Sequence, residues 1–209
     1  EWSLEDLVTT PVSLASRSEE ALFDVSAAVA VVTGEELRRS GVTSVAEALR
    51  LVPGMQVARL DASKWAISVR GSNSRFTNNM LVQIDGRSVY TPVFSGVYWE
   101  VQDLLLDNVE QIEVIRGPGA TLWGANAFFG VVNIITKSAA KTRGTLVTAG
   151  GGSEERAFGA VRGGRRLGEH GDIRLYARFF DRDQQVDLAG DPSGDEWRGA
   201  RGGLRADWT

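Results

Sequence analysis

Glycine-dense turns beside strands are where a chain most often cradles a phosphate, and residues 117–124, Gly-Pro-Gly-Ala-Thr-Leu-Trp-Gly, have that density. They lack the chemistry. The Gly-Lys-Ser/Thr ending that supplies a cation and a hydroxyl is missing, and Pro118 removes an amide where amides would have to converge. Covalent catalysis is no better served: there is no cysteine, no Gly-x-Ser-x-Gly elbow, and a single histidine, His170, set among Glu169, Gly171 and Asp172 as in a turn. Single carboxylates such as Asp85 and Asp103 are too common to signal an acid–base pair. What remains suits binding. Arg70 and Arg116 stand in matching Val-Arg-Gly and Ile-Arg-Gly contexts, and Tyr90-Thr91-Pro92-Val93-Phe94-Ser95-Gly96-Val97-Tyr98-Trp99 is aromatic where a loop is usually polar. These residues argue against an enzyme and imply neither a cofactor nor a metal site.

The elements that hold them in place can be read from periodicity. Ala27 to Val32 is a valine-rich apolar run, and Thr33 with Glu36 three places on forms a capping box opening a short helix that stops at Gly41. Ser44 and Glu47 repeat the box, and Val45, Ala48, Leu49 and Val52 lie at i, i+3, i+4 and i+7 on one helical stripe, ended by Pro53-Gly54. Strands follow at Met55 to Arg59, Trp65 to Arg70 and Met80 to Asp85, the last two with period two. Ile112 to Ile115 and Val131 to Ile135 are continuous apolar runs, predicting strands buried on both faces. Residues 1–20, with Pro11 and many Ser and Thr, show no period and predict an extended or mobile segment. The fold class expected is a compact α+β domain over residues 21–140 with a small mixed sheet and short helices.

Composition changes after that. Ten of 24 glycines lie in residues 1–140 and fourteen in 141–209, together with eleven arginines, which sets a boundary near Ser138 to Arg143. Residues 141–209 hold four alternating stretches: Gly144 to Gly150, Glu155 to Arg165, Asp172 to Gln184 and Glu196 to Trp208. In the third, Ile173, Leu175, Ala177 and Phe179 oppose Arg174, Tyr176, Arg178 and Phe180; in the fourth, Ala200, Leu204, Ala206 and Trp208 oppose Arg201, Arg205 and Asp207. One apolar and one charged face suit antiparallel strands of a transmembrane barrel, and each stretch is near the ~9–11 residues a tilted spanning strand needs. A soluble sheet half exposed to water is the alternative. A net charge of -4 argues against a nucleic-acid partner.

The blocks Asp24 to Gly41, Thr43 to Val57, Ile67-Ser68-Val69-Arg70-Gly71, Leu81-Val82-Gln83-Ile84-Asp85-Gly86-Arg87 and Ile112 to Lys137 follow one another in the order of a known family. In this the chain resembles the plug domain of TonB-dependent outer-membrane receptors, followed by the first strands of their barrel. The resemblance implies an outer-membrane protein of a Gram-negative-type bacterium, with its plug in the barrel lumen and its N-terminus in the periplasm. It implies a gate for a scarce nutrient such as a ferric siderophore, cobalamin or another metal chelate, with lipid around the barrel. Such barrels have about 22 strands, so four make an incomplete wall, and the expectation is a truncated receptor. The energy source would be the inner-membrane TonB protein, engaged by strand addition to a TonB box. Leu4 to Val12 is the candidate, with Leu4, Leu7, Val8, Thr9 and Thr10 nearest the pattern and Glu5 and Asp6 departing from it.

The family also pairs plug arginines with glutamates of the inner barrel wall, which makes Arg70 and Arg116 latch candidates whose partners would lie beyond Thr209. By the same resemblance the loops after Arg59 and after Arg87 face outward, while Gly71 to Asn79 faces the periplasm. That nominates Asp61, Lys64 and Trp65 in the first loop, and Tyr90, Phe94 and Tyr98 in the second, as ligand contacts. Tyr98 and Trp99 packing on the plug core is the competing expectation, as is a plug-like ligand-binding or signalling module without transport.

Overall fold

The computed structural model describes residues 11–12, 20–21, 28–118 and 123–208. The chain divides into two compact units, Glu1–Ala58 with Trp65–Thr136, and Arg59–Lys64 with Lys137–Thr209.

In the first unit, strands β1 (Pro11–Val12) and β2 (Glu20–Ala21) form a short antiparallel pair. Strand β3 (Val29–Thr33) runs directly into helix α1 (Gly34–Ser40) through the expected capping box: Thr33 Oγ1 accepts the Glu36 N–H at 3.3 Å, and Glu36 Oε2 accepts the Thr33 N–H at 2.8 Å. Gly41, with φ 72°, caps the end. At helix α2 (Val45–Ala48) the second box shifts by one residue. Ser44 Oγ accepts the Glu47 N–H, but the Glu47 carboxylate returns to the N–H of Thr43. The helix then tightens into a 3-10 turn, Leu49–Leu51, while Val45, Ala48, Leu49 and Val52 keep one buried stripe.

Strands β4 (Met55–Arg59) and β5 (Trp65–Val69) pair with each other, and β5 is buried along its whole length. The main sheet has the order β3, β8 (Val109–Arg116), β9 (Gly130–Thr136), β6 (Met80–Ile84), β7 (Arg87–Ser88). It is mixed: β9 runs parallel to β6 and antiparallel to β8. The continuous apolar runs are explained by burial on both faces. Ile112, Val114, Val132 and Ile134 join the principal core with Val82, Leu37 and Leu49, while Ile115, Val131, Leu81 and Ala127 form a smaller cluster. A polar row crosses this sheet where sequence reading saw only apolar runs. Glu113, Asn133 and Gln83 stand opposite one another in register and all three are buried.

The second unit is an antiparallel meander of β10 (Gly144–Gly150), β11 (Glu155–Leu167), β12 (Gly171–Arg182) and β13 (Trp197–Trp208). Its connections alternate: residues 151–154 and 168–170 are tight, and 183–196 form a long loop. The strand faces fall as the alternation predicts. Arg174 and Arg178 are buried, while Leu175 is 53 % and Phe179 46 % exposed. Glycine makes room for rings across β12 and β13. Phe180 stands opposite Gly199 and Tyr176 opposite Gly203, and a Cβ on either glycine would lie 2.7 or 2.3 Å from those rings. No helix among the described residues is long and apolar enough to cross a membrane, which says nothing of strands.

Candidate functional site

Arg70 and Arg116 close β5 and β8, and both guanidinium groups come to rest on glycine backbone. Arg70, itself at φ 51°, brings Nη1 to within 3.2 Å of where a Cβ on Gly117 would stand. Gly117, at φ 140°, supplies both the turn and the space. Arg116 lies over Gly54 and donates from Nη1 to the Pro53 carbonyl at 2.9 Å, while its Nε is buried without a hydrogen-bond partner. Neither arginine has an acidic partner among the described residues. Arg70 thus lies on the glycine of the second Arg-Gly pair and Arg116 on Gly54, whereas Gly71 makes room for the Phe129 ring, 2.8 Å from where its Cβ would stand.

The loop Asp61–Lys64 is a closed knot rather than an open hand. Asp61 Oδ1 accepts the N–H groups of Ser63 at 2.9 Å and Lys64 at 2.7 Å, its other oxygen takes the Lys64 ammonium, and the Leu60 N–H donates to the Lys64 carbonyl at 2.9 Å. Burial pushes the Asp61 carboxyl up, but the Lys64 ammonium and the two amides outweigh it and hold the group below its ordinary value. Within the same unit Arg59 donates to the carbonyls of Asp61 and Ala62 and pairs with Glu154. Asp195 accepts the Ala62 N–H at 2.6 Å and the Gln185 N–H at 2.8 Å. Burial raises the Asp195 carboxyl, and those two amides more than reverse it. Asp195 lies 133 positions from Ala62, and no spacing rule reaches that far. Trp65 is a correction: it is 3 % exposed in the principal core, with the Arg50 guanidinium 5.6 Å from its ring centre. Burial of both faces of β5 takes Trp65 away from any ligand.

The second nominated loop forms an aromatic surface with an unforeseen partner. Phe94 packs edge-on to Tyr98 at 4.9 Å and to Phe76 at 5.0 Å, and Phe76 remains 55 % exposed. Arg75 reaches over the Phe76 ring and pairs with Glu100 at 3.0 Å. Residues 71–79 and 90–99 thus share one surface, whereas the resemblance put them on opposite sides. Tyr90 braces that surface from beneath. Its hydroxyl sits 2.7 Å from the Met80 carbonyl and 3.0 Å from that of Asn78, and burial pushes its pKa up to about 12. With its proton committed to backbone, Tyr90 has only ring edge to offer a ligand. The competing expectation is divided between its two residues. Trp99 is core, whereas Tyr98 is half-buried in the stack. Leu4, Leu7, Val8, Thr9 and Thr10 lie outside the described residues.

A family model, the TonB-dependent Receptor Plug Domain, matches residues 21–131. The chain belongs to that family. Among curated relatives, the vitamin B12 transporter BtuB of Photobacterium profundum is 37 % identical over 163 residues, covering 77 % of this chain and 26 % of that protein. The BtuB of Vibrio vulnificus is 30 % identical over 172 residues, covering 81 % and 27 %. The fold is also that of the ferripyoverdine receptor of the outer membrane of Pseudomonas aeruginosa, with TM-score 0.68 and 20 % identity over 83 % of this chain and 23 % of that one. The ferric-catecholate import receptor Fiu of E. coli K12 gives TM-score 0.61 at 26 % identity, over 78 % and 22 %. This plug-family chain therefore spans about a quarter of the length of the curated relatives it matches.

Proposed function

We propose that this chain is the plug and opening wall strands of a receptor that captures a nutrient chelate, such as a ferric siderophore or cobalamin, and imports it with energy from TonB. The observation that carries the reading is a plug-type mixed sheet followed directly by a meander whose apolar face is exposed and whose arginines on β12 are covered. That arrangement suits a wall with acyl chains outside and a polar lumen within. The relatives supply the cargo classes: vitamin B12 for the BtuB proteins, ferric chelates for the receptors of like fold. Arg70 and Arg116 act as the latch. Each cation lies on glycine backbone and awaits a carboxylate, and removing one member of a buried pair costs about 3–5 kcal/mol. Phe76, Phe94 and Tyr98, with Asp61 and Lys64, form the surfaces that meet cargo, and Leu4 to Val12 engages TonB by strand addition. The reaction is transport rather than catalysis.

Growth and uptake with a panel of ferric chelates and cobalamin, comparing a receptor deletion with its parent, test this directly. Uptake of one of them is lost in the deletion and in a strain without TonB. Deleting residues 3–12 from the full-length receptor abolishes that uptake and leaves binding intact. Unchanged uptake of every compound, with binding of one retained, would favour a ligand-binding module without transport.

A further inference from the structure

The long connection of the meander, residues 183–196, is a stiff finger rather than a slack loop. Val186 bridges Pro192 across it, and the Ser193 N–H donates to the Gln185 carbonyl at 2.9 Å. At the tip Asp187 Oδ1 accepts the N–H groups of Ala189 at 2.8 Å and Asp191 at 2.9 Å, and Gly190 takes the φ of 90° that closes the turn. The residue this turn holds out is Leu188. It is fully exposed, and Val186 is 67 % exposed. The base of the finger is fastened to the loop Asp61–Lys64. Asp195 accepts the Gln185 N–H through Oδ1 and the Ala62 N–H through Oδ2, and the Asp183 N–H donates at 2.8 Å to the carbonyl of Glu154, the partner of Arg59. Finger and loop therefore share one rim, at the end of β12 away from the 168–170 turn. The rim has a sign. Residues 183–196 carry Asp183, Asp187, Asp191, Asp195 and Glu196 with no lysine or arginine, and the nearby cations Arg59 and Lys64 are paired with Glu154 and Asp61.

We infer that Leu188 and Val186 are specificity-determining contacts for a cargo that meets this rim with an apolar, uncharged edge, and that Asp195 is the positioning residue that holds the finger beside Asp61–Lys64. This rests on the reading that the Asp61–Lys64 loop meets cargo. It goes further by adding a second contact and by excluding a class, since a polyanionic chelate would meet like charge around the tip. A turn that is already ordered loses little freedom on binding, so more of the apolar contact survives as affinity.

The test is equilibrium dialysis of the detergent-solubilised full-length receptor against three probes: cyanocobalamin and a ferric trihydroxamate, both uncharged, and a ferric tris-catecholate, a trianion. Heat-modifiable gel mobility shows that each variant barrel is folded. Saturable binding of an uncharged probe is expected, weakened about tenfold or more by L188S, the loss that goes with one buried leucine, and restored by L188M. V147S, which removes an exposed apolar side chain from the middle of β10, leaves binding unchanged. D195N weakens binding by a smaller factor and adds nothing in the L188S background, because the contact it positions is already gone. Preference for the tris-catecholate, binding of none of the three, or an unchanged L188S dissociation constant overturns the site. Additive losses for D195N and L188S overturn the positioning role. An uncharged probe that binds with this sensitivity to L188S, yet is not taken up by cells, would sink the transport reading and leave the site standing.

Discussion

The two sheets use the same residue types in opposite places. In the first unit β8 and β9 bury isoleucine and valine on both faces, leaving only their ends and the Glu110–Gln111 step partly open to water. In the second, Val161, Leu175, Phe179 and Leu204 are turned outward while Arg174, Arg178 and Arg182 are covered. A large apolar side chain gains about 1.5–3 kcal/mol by leaving water, so the first sheet is stabilised by its own interior. The second forgoes that gain at each outward position unless another apolar medium meets it. Strand propensity alone does not separate the two cases. What separates them is where the charges go.

The comparison is broken most severely by cutting into the first sheet. Ile112→Ala removes a fully buried side chain and costs about 2–5 kcal/mol, read as an earlier midpoint in guanidinium unfolding; a shift near zero would mean that β8 is not a core strand. Close behind is Leu175→Arg on the outward face of β12. In a bilayer this costs about 2–4 kcal/mol near the midplane, whereas on a water-facing sheet it would be near neutral. Refolding the receptor into lipid vesicles and titrating with urea distinguishes the two, and a neutral result removes the lipid-facing assignment. Arg178→Leu makes the reciprocal test on the covered face, where it takes away a cation held 5.5 Å above the Phe180 ring.

Much of this architecture was legible because it is local. The Thr33 box, the Gly41 stop and the alternation of β12 each sit within a dozen residues of one another, and all three stand in the structure. The site was legible only in part, because its partners are distant in sequence. Phe76 meets Phe94 and Ala62 meets Asp195, and nothing in the local pattern marks either pair. Trp65 misled for the opposite reason: its alternation was read correctly, but period two cannot tell a half-buried strand from one covered on both faces. Glu113 hid inside an apolar run. Its burial opposite Asn133 is a property of the sheet, not of the segment.

Smaller effects probe how each unit is finished. Thr33→Ala removes the oxygen that caps α1 and costs about 1 kcal/mol, with Thr33→Ser restoring it. The smallest effect belongs to the loop Asp61–Lys64, and it depends on pH. Asp61 and Asp195 are both held below their ordinary values, so their folded forms bind protons less readily than the unfolded chain. Their contribution is therefore complete above the ordinary carboxylate range and is lost as pH falls through the lowered values. Amide exchange at Ala62, Ser63 and Lys64, corrected for its intrinsic pH dependence, should accelerate in that acidic window while the amides of β8 stay protected. Asp195→Asn weakens the hold above the acidic window, where the wild-type carboxylate is charged, and leaves only the Asp61 component to titrate. Protection of the Ala62 amide that stays flat through the acidic window would show that Asp195 does not hold this loop, and that the knot around Asp61 stands by itself.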